Sequence, residues 1–248
     1  MHSRAGKWLR ANNNFQLFYS FLIIYFNQQQ LRKGFLSGKK NIIVLFPLAG
    51  IGLFFLLYLL AATLYPGGSQ ANSTAKGFSW LHNYWCNLLN QKAINGQPNA
   101  ARPVAIAGML VLCFSMAGFW WLFAQSNFKN TWLKVMQYSG IISAITGIFL
   151  FTSYHDWIIN LSGILAIFAF AGTFIGLYKN GWKSMFWFGM LNIALIALNN
   201  FIYYSTGLLY MLPVVQKITF LSFLLWIGII NIKLYNLVKT KDQYSADI

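Results

Sequence analysis

His82 and Cys86 stand four residues apart in FSWLHNYWCNLL, residues 78–89, and His155 and Asp156 stand together in FTSYHDW, residues 151–157. On one α-helix, positions i and i+4 share a face, which is the placement that two side-chain ligands of one metal require. Joined by His155 and Asp156, they would make a four-donor site of zinc type whose bound water is activated for hydrolysis. Without a metal, His82 and His155 would serve as acid and base, with Asp156 orienting one of them and Ser69, Ser79 or Ser153 as nucleophile. A plainer role competes for the second pair. Asp156 directly precedes an apolar run and suits the N-cap of a helix, and His155 then fills the turn. Asn83, Asn199, Asn200 and Lys217 add polar groups to the same constellation if the fold brings them to one face.

Other chemistries find no support. There is no second acid near Asp156 for a paired-carboxylate mechanism, no G-x-S-x-G elbow, no HEXXH glutamate, no Walker loop and no C-x-x-C pair. The sequence names no cofactor. Cys86 and Cys113 are expected to remain unpaired, because Cys113 lies ten residues into an apolar run.

The elements that position these residues are set by composition. The 248 residues are 58% hydrophobic and 8% charged, with a mean hydropathy of +0.54, outside the range of soluble domains. A bilayer core about 30 Å thick needs roughly 20 apolar residues per helix. Six such runs are present: 42–64, 103–123, 135–153, 157–178, 185–204 and 214–238. The expected architecture is an all-α six-span bundle over residues 41–238, preceded by a basic segment 1–40 and followed by a tail 239–248. Within 1–40, FQLFYSFLIIYF (15–26) reaches only about 18 Å as a helix and reads as an interfacial segment or as poorly ordered chain.

The net charge of +15 raises nucleic acid as a partner, but the cations alternate by loop instead. Fourteen of the 18 Lys and Arg fall before the first run, in the second and fourth connections, or at the end of the chain. Lys76, Lys92, Arg102 and Lys217 fall on the other side. By the positive-inside rule both termini are cytoplasmic, the protein belongs in the cytoplasmic membrane, and residues 65–102 form an outer loop. No loop joins a basic cluster to stacking aromatics, so nucleic acid is not an expected partner.

This loop of 38 residues is long enough to imply a role. Tyr65-Pro66-Gly67-Gly68 ends the first span and calls for positive φ at glycine. Leu81, Trp85 and Leu88 then mark one stripe of a short surface helix, with Ser79, Asn83 and Asn90 opposite. Its aromatics would lie in the head-group belt or over the bundle mouth. Within the spans, Gly140 with Ala144, Ser143 with Gly147 and Gly172 with Gly176 invite close helix packing inside the bundle.

The stretch from Tyr65-Pro66-Gly67-Gly68 through residues 78–89 to Asn95-Gly96 and Pro98-Asn99 resembles an uncharacterised family of six-helix prokaryotic membrane proteins, Frag1- and DRAM-like in layout. That family carries a Ser-Asp-Leu-Gly-type stretch in its first outer loop; here the matching positions read Cys86-Asn87-Leu88-Leu89, without the acid. The resemblance implies the six-span fold and an outer-face site, and leaves the activity unassigned. Three functions suit the sequence as a whole. The leading one is a binding or accessory protein that engages lipid or another membrane subunit through its outer face. The others are an enzyme acting on a lipid head group with the His82, His155 and Asp156 set, and a small-solute permease; the deeper Asn160, Asn192 and Gln216 suit interhelical hydrogen bonding.

Overall fold

The computed structural model describes residues 38–125, 131–152 and 154–246, and within them the side chains of His155 and Asp156 lie outside the description. The segment 15–26 is also outside it. Contacts divide the chain into Val44–Leu237 and a second unit of the two chain ends, Met1–Ile43 with Val238–Ile248. In the second unit, residues 38–43 belong to a 3-10 helix, Gly38–Leu45, and residues 238–246 continue the last helix.

Among the described residues the larger unit holds α1 (Phe46–Thr63), α2 (Arg102–Ala124), α3 (Thr131–Gly147), α4 (His155–Lys179), α5 (Lys183–Tyr204) and, as far as Leu237, the last long helix α6 (Leu212–Ala246). All six fall in stretches long and apolar enough to cross a bilayer, from Ile42–Thr63 to Gly207–Thr240. That makes the chain compatible with a multi-pass membrane protein. The third stretch begins at Thr131, four residues before the apolar run itself. Pro47 and Pro103 sit in the first turns of α1 and α2, where a missing N–H costs nothing.

Small residues set the spacing of the bundle. A Cβ added to Gly140 would lie 2.4 Å from the Trp120 ring, and one added to Gly172 would lie 2.4 Å from Met136 Cβ. α2, α3 and α4 therefore meet at glycine-limited distance, the packing that lipid-immersed helices favour. Hydroxyls reinforce this seam: Ser143 Oγ donates to the Ser162 carbonyl at 2.9 Å, and the Thr146 and Ser162 hydroxyls pair at 2.7 Å. α6 packs differently, through bulk. Trp226 is fully buried, stacks on Phe170 with ring centroids 5.9 Å apart, and donates its indole N–H to the Met185 carbonyl at 2.7 Å. Gly189 on α5 leaves the room that ring occupies.

Candidate functional site

Residues 65–102 fold over one end of the bundle as a knit cap. Gly67 and Gly68 take positive φ, the conformation expected after Pro66, and bring the loop back on itself so that Gly67 bridges Lys76 and the Gly68 N–H reaches the Ala75 carbonyl at 2.7 Å. Asparagines supply most of the remaining order. Asn99 Nδ2 faces three carbonyls, those of Asn87 (3.1 Å), Leu88 (3.2 Å) and Asn90 (2.9 Å), while its Oδ1 accepts the Ala101 N–H at 3.1 Å. Asn83 is fully buried; its Nδ2 donates to the Gly68 carbonyl at 2.9 Å and its Oδ1 accepts the Ser79 N–H at 2.8 Å. Asn87 Oδ1 accepts the Tyr84 N–H at 2.7 Å.

This network corrects the expected surface helix. Over 78–89 only Trp85–Leu89 is helical, as a 3-10 segment, and the residues before it form turns. Leu81 is 62% exposed whereas Leu88 is 1% exposed, so the stripe drawn through both does not exist. The physical reason is that Asn83 and Asn87 bond nearby backbone groups and so offer the chain an alternative to helical pairing.

The His82–Cys86 pair loses its common face with the helix. His82 is exposed, and its Nδ1 lies 3.2 Å from Ser79 Oγ. Cys86 is half-buried on the bundle side, close enough to Tyr58 and Lys217 for their charges to influence one another. Burial raises its thiol pKa above the usual value, an effect that its own backbone N–H and the Lys217 ammonium only partly offset. Burial likewise raises the phenols of Tyr65 and Tyr84, although the Ile94 N–H, 3.0 Å from the Tyr65 oxygen, works the other way.

Among the described residues no three His, Cys, Asp or Glu approach closely enough to hold a metal. His155 and Asp156 are the first two helical residues of α4, so the capping position falls on Tyr154, one residue before the pair. Asp156 is therefore inside the first turn instead of before it. The other expected groups separate: Asn199 Nδ2 donates to Thr219 Oγ1 between α5 and α6, and Asn200 is exposed. Of the deeper amides, Asn160 is exposed, whereas Asn192 is fully buried with Oδ1 unpartnered among the described residues.

Two groups tie the cap to the bundle. Trp85 drops its ring among Phe220 (centroid distance 5.1 Å), Tyr58 (5.7 Å), Phe54 (5.9 Å) and Phe55 (6.2 Å), plugging the space between α1 and α6. Lys217, 8% exposed, reaches from α6 to the Asn83 carbonyl at 2.5 Å and the Pro213 carbonyl at 2.8 Å, with its ammonium 5.9 Å from the Phe78 ring centroid. The described side chains include no acid. Sequence reasoning counted Lys217 only as one more polar group near the rim. Its isolation among apolar residues at the start of the last run was the available signal, since a buried cation needs partners. No protein-family model, curated protein or solved structure matches this chain.

Proposed function

We propose that the chain is a multi-pass protein of the cytoplasmic membrane, both termini inside, whose capped outer end binds a membrane ligand, either lipid or a partner subunit. The observation that carries this reading is the cap itself. Ordering a loop of this length costs on the order of 1 kcal/mol per residue, which a mere connector between two spans has no need to meet. Here asparagine bonds, the Trp85 plug and the Lys217 latch meet it, and the resulting surface presents Trp80 (47% exposed) and Leu81 at its rim. A rigid rim bearing exposed aromatic and aliphatic groups suits contact with head groups and acyl chains or with another membrane helix.

The alternation of Lys and Arg supports the orientation. The likeness in layout to the Frag1- and DRAM-like proteins agrees with it, and Asn87, at the position where that family carries an acid, keeps an acceptor oxygen on the Tyr84 N–H. The enzymatic alternative draws on one contact, Ser79 with His82. It is the weaker reading, because Ser79 engages Nδ1 and its Oγ also accepts the His82 N–H at 3.3 Å, the pattern of a local turn.

Purification in mild detergent tests the binding reading. A specific lipid or subunit should copurify, and the double substitution Trp80→Ala with Leu81→Ala should release it; clean monomer carrying neither refutes the proposal. Orientation is read separately, in a chain with Cys86 and Cys113 replaced by serine. Trp80→Cys should react with an impermeant maleimide from outside, and Lys183→Cys only after permeabilisation.

A further inference from the structure

We propose that the capped end holds an anion site whose cation is Lys217, and that its ligand is the phosphate or carboxylate of an anionic amphiphile. This rests on the binding reading above and gives it a chemistry. The ammonium is buried beneath the cap with two backbone carbonyls and an aromatic face as its described partners, and the nearby Cys86 thiol, which burial keeps protonated at neutral pH, supplies no counter-charge. Carbonyl dipoles and a ring quadrupole soften a buried charge but do not neutralise it, and an uncompensated buried ion is costly. An ammonium also has three donors, and the two carbonyls take two of them.

The surroundings add positive potential. Lys217 reaches back to Pro213, in the first turn of α6, where the helix dipole already presents its positive end. Residues 65–102 contribute Lys76, Lys92 and Arg102 and no acid at all. A protein end of one sign concentrates ions of the other. The exposed Trp80 and Leu81 lie in the same cap, so charge and apolar surface are offered together. That pairing favours an amphiphile over a free anion.

The test uses the full chain in mild detergent. Native mass spectrometry counts lipid retained from vesicles of phosphatidylcholine alone or mixed with phosphatidylglycerol, and thermal shift compares a short-chain phosphatidylglycerol, its phosphatidylcholine counterpart and inorganic phosphate. The expected result is a preference for the anionic lipid of about tenfold, the factor equivalent to one charge-assisted hydrogen bond. Lys217→Met should abolish the preference and Lys217→Arg should keep it. Should Lys217→Met fail to fold, Lys217→Gln provides the second variant: it keeps N–H donors for the Asn83 and Pro213 carbonyls, removes the charge and should likewise lose the anionic preference. Equal retention of anionic lipid by wild type and Lys217→Met overturns the proposal. An equal shift by inorganic phosphate overturns the amphiphile assignment. Equal binding of both lipids sinks the anion site but leaves the binding reading standing, whereas absence of any bound lipid or subunit sinks both.

Discussion

Replacing Asn99 by alanine should loosen the cap without touching the long helices. Its amide nitrogen has two N–H groups shared among three carbonyls, and its oxygen takes the Ala101 N–H, so about three hydrogen bonds are lost. At ~0.5–1.5 kcal/mol net for each bond, with buried carbonyls left unpaired, the local cost is about 2–4 kcal/mol. One factor of ten corresponds to ~1.4 kcal/mol, so cap opening should become roughly 30- to 700-fold more frequent. Hydrogen exchange of the whole chain in detergent measures it directly, at the Ala93, Gly96 and Ala101 amides, while the α2 and α3 interior should keep its protection. Asn99→Asp should be at least as damaging: the shape is kept, but an acceptor then faces the carbonyls where a donor stood. Exchange within a factor of two of wild type in Asn99→Ala would show that the asparagine network does not hold the cap.

The geometry fixes three further outcomes. Trp85→Ala removes four ring contacts and should lower stability by about 3 kcal/mol, the low end for a large aromatic because Trp85 is only half-buried, read as a fall of roughly 6–12 °C in Tm. Gly140→Ala should destabilise by ~1–3 kcal/mol, since its Cβ meets Trp120, whereas Gly52→Ala, with nothing within 4 Å, should be neutral or stabilising by ~0.4–1 kcal/mol; equal effects would refute the packing argument. Above pH 9.0 the unfolded Cys86 thiol ionises before the folded one, so the native state holds the extra proton and stability falls as pH rises. Thermal scans in alkali should show a shallower decline for Cys86→Ser by up to one proton, about 1.36 kcal/mol per pH unit.

The long helices were legible because length and apolarity alone decide them: the runs 103–123, 157–178, 185–204 and 214–238 each lie in one long helix, whereas the run 42–64 begins in a 3-10 segment and the run 135–153 leaves α3 at Gly147 for another, Ile148–Phe151. The Pro66-Gly67-Gly68 turn was legible for a similar local reason, as positive φ is demanded within a few residues. The cap's interior was not. Leu81, Trp85 and Leu88 satisfy a helical period, yet the decisive bonds run from Asn83 to Gly68 and from Asn99 to residues 87–90, pairings that no local period encodes. His82 and Cys86 shared a face only on the assumption of that helix. Asp156 was misplaced by two positions relative to the cap, within the ordinary uncertainty of a helix boundary. The importance of Lys217 needed a partner 134 residues away.

That separation has a consequence for biogenesis. The Asn83 carbonyl leaves the ribosome long before the lysine that closes on it, and at ~5–20 residues per second translation needs about 7–27 s to cover the interval. The nascent chain therefore passes through a stage with the earlier helices made and the lid unfastened, its tryptophan and asparagines open to chaperones or proteases. Closure comes only once α6 has been made, so the latch joins a segment synthesised early to one synthesised well over a hundred residues later.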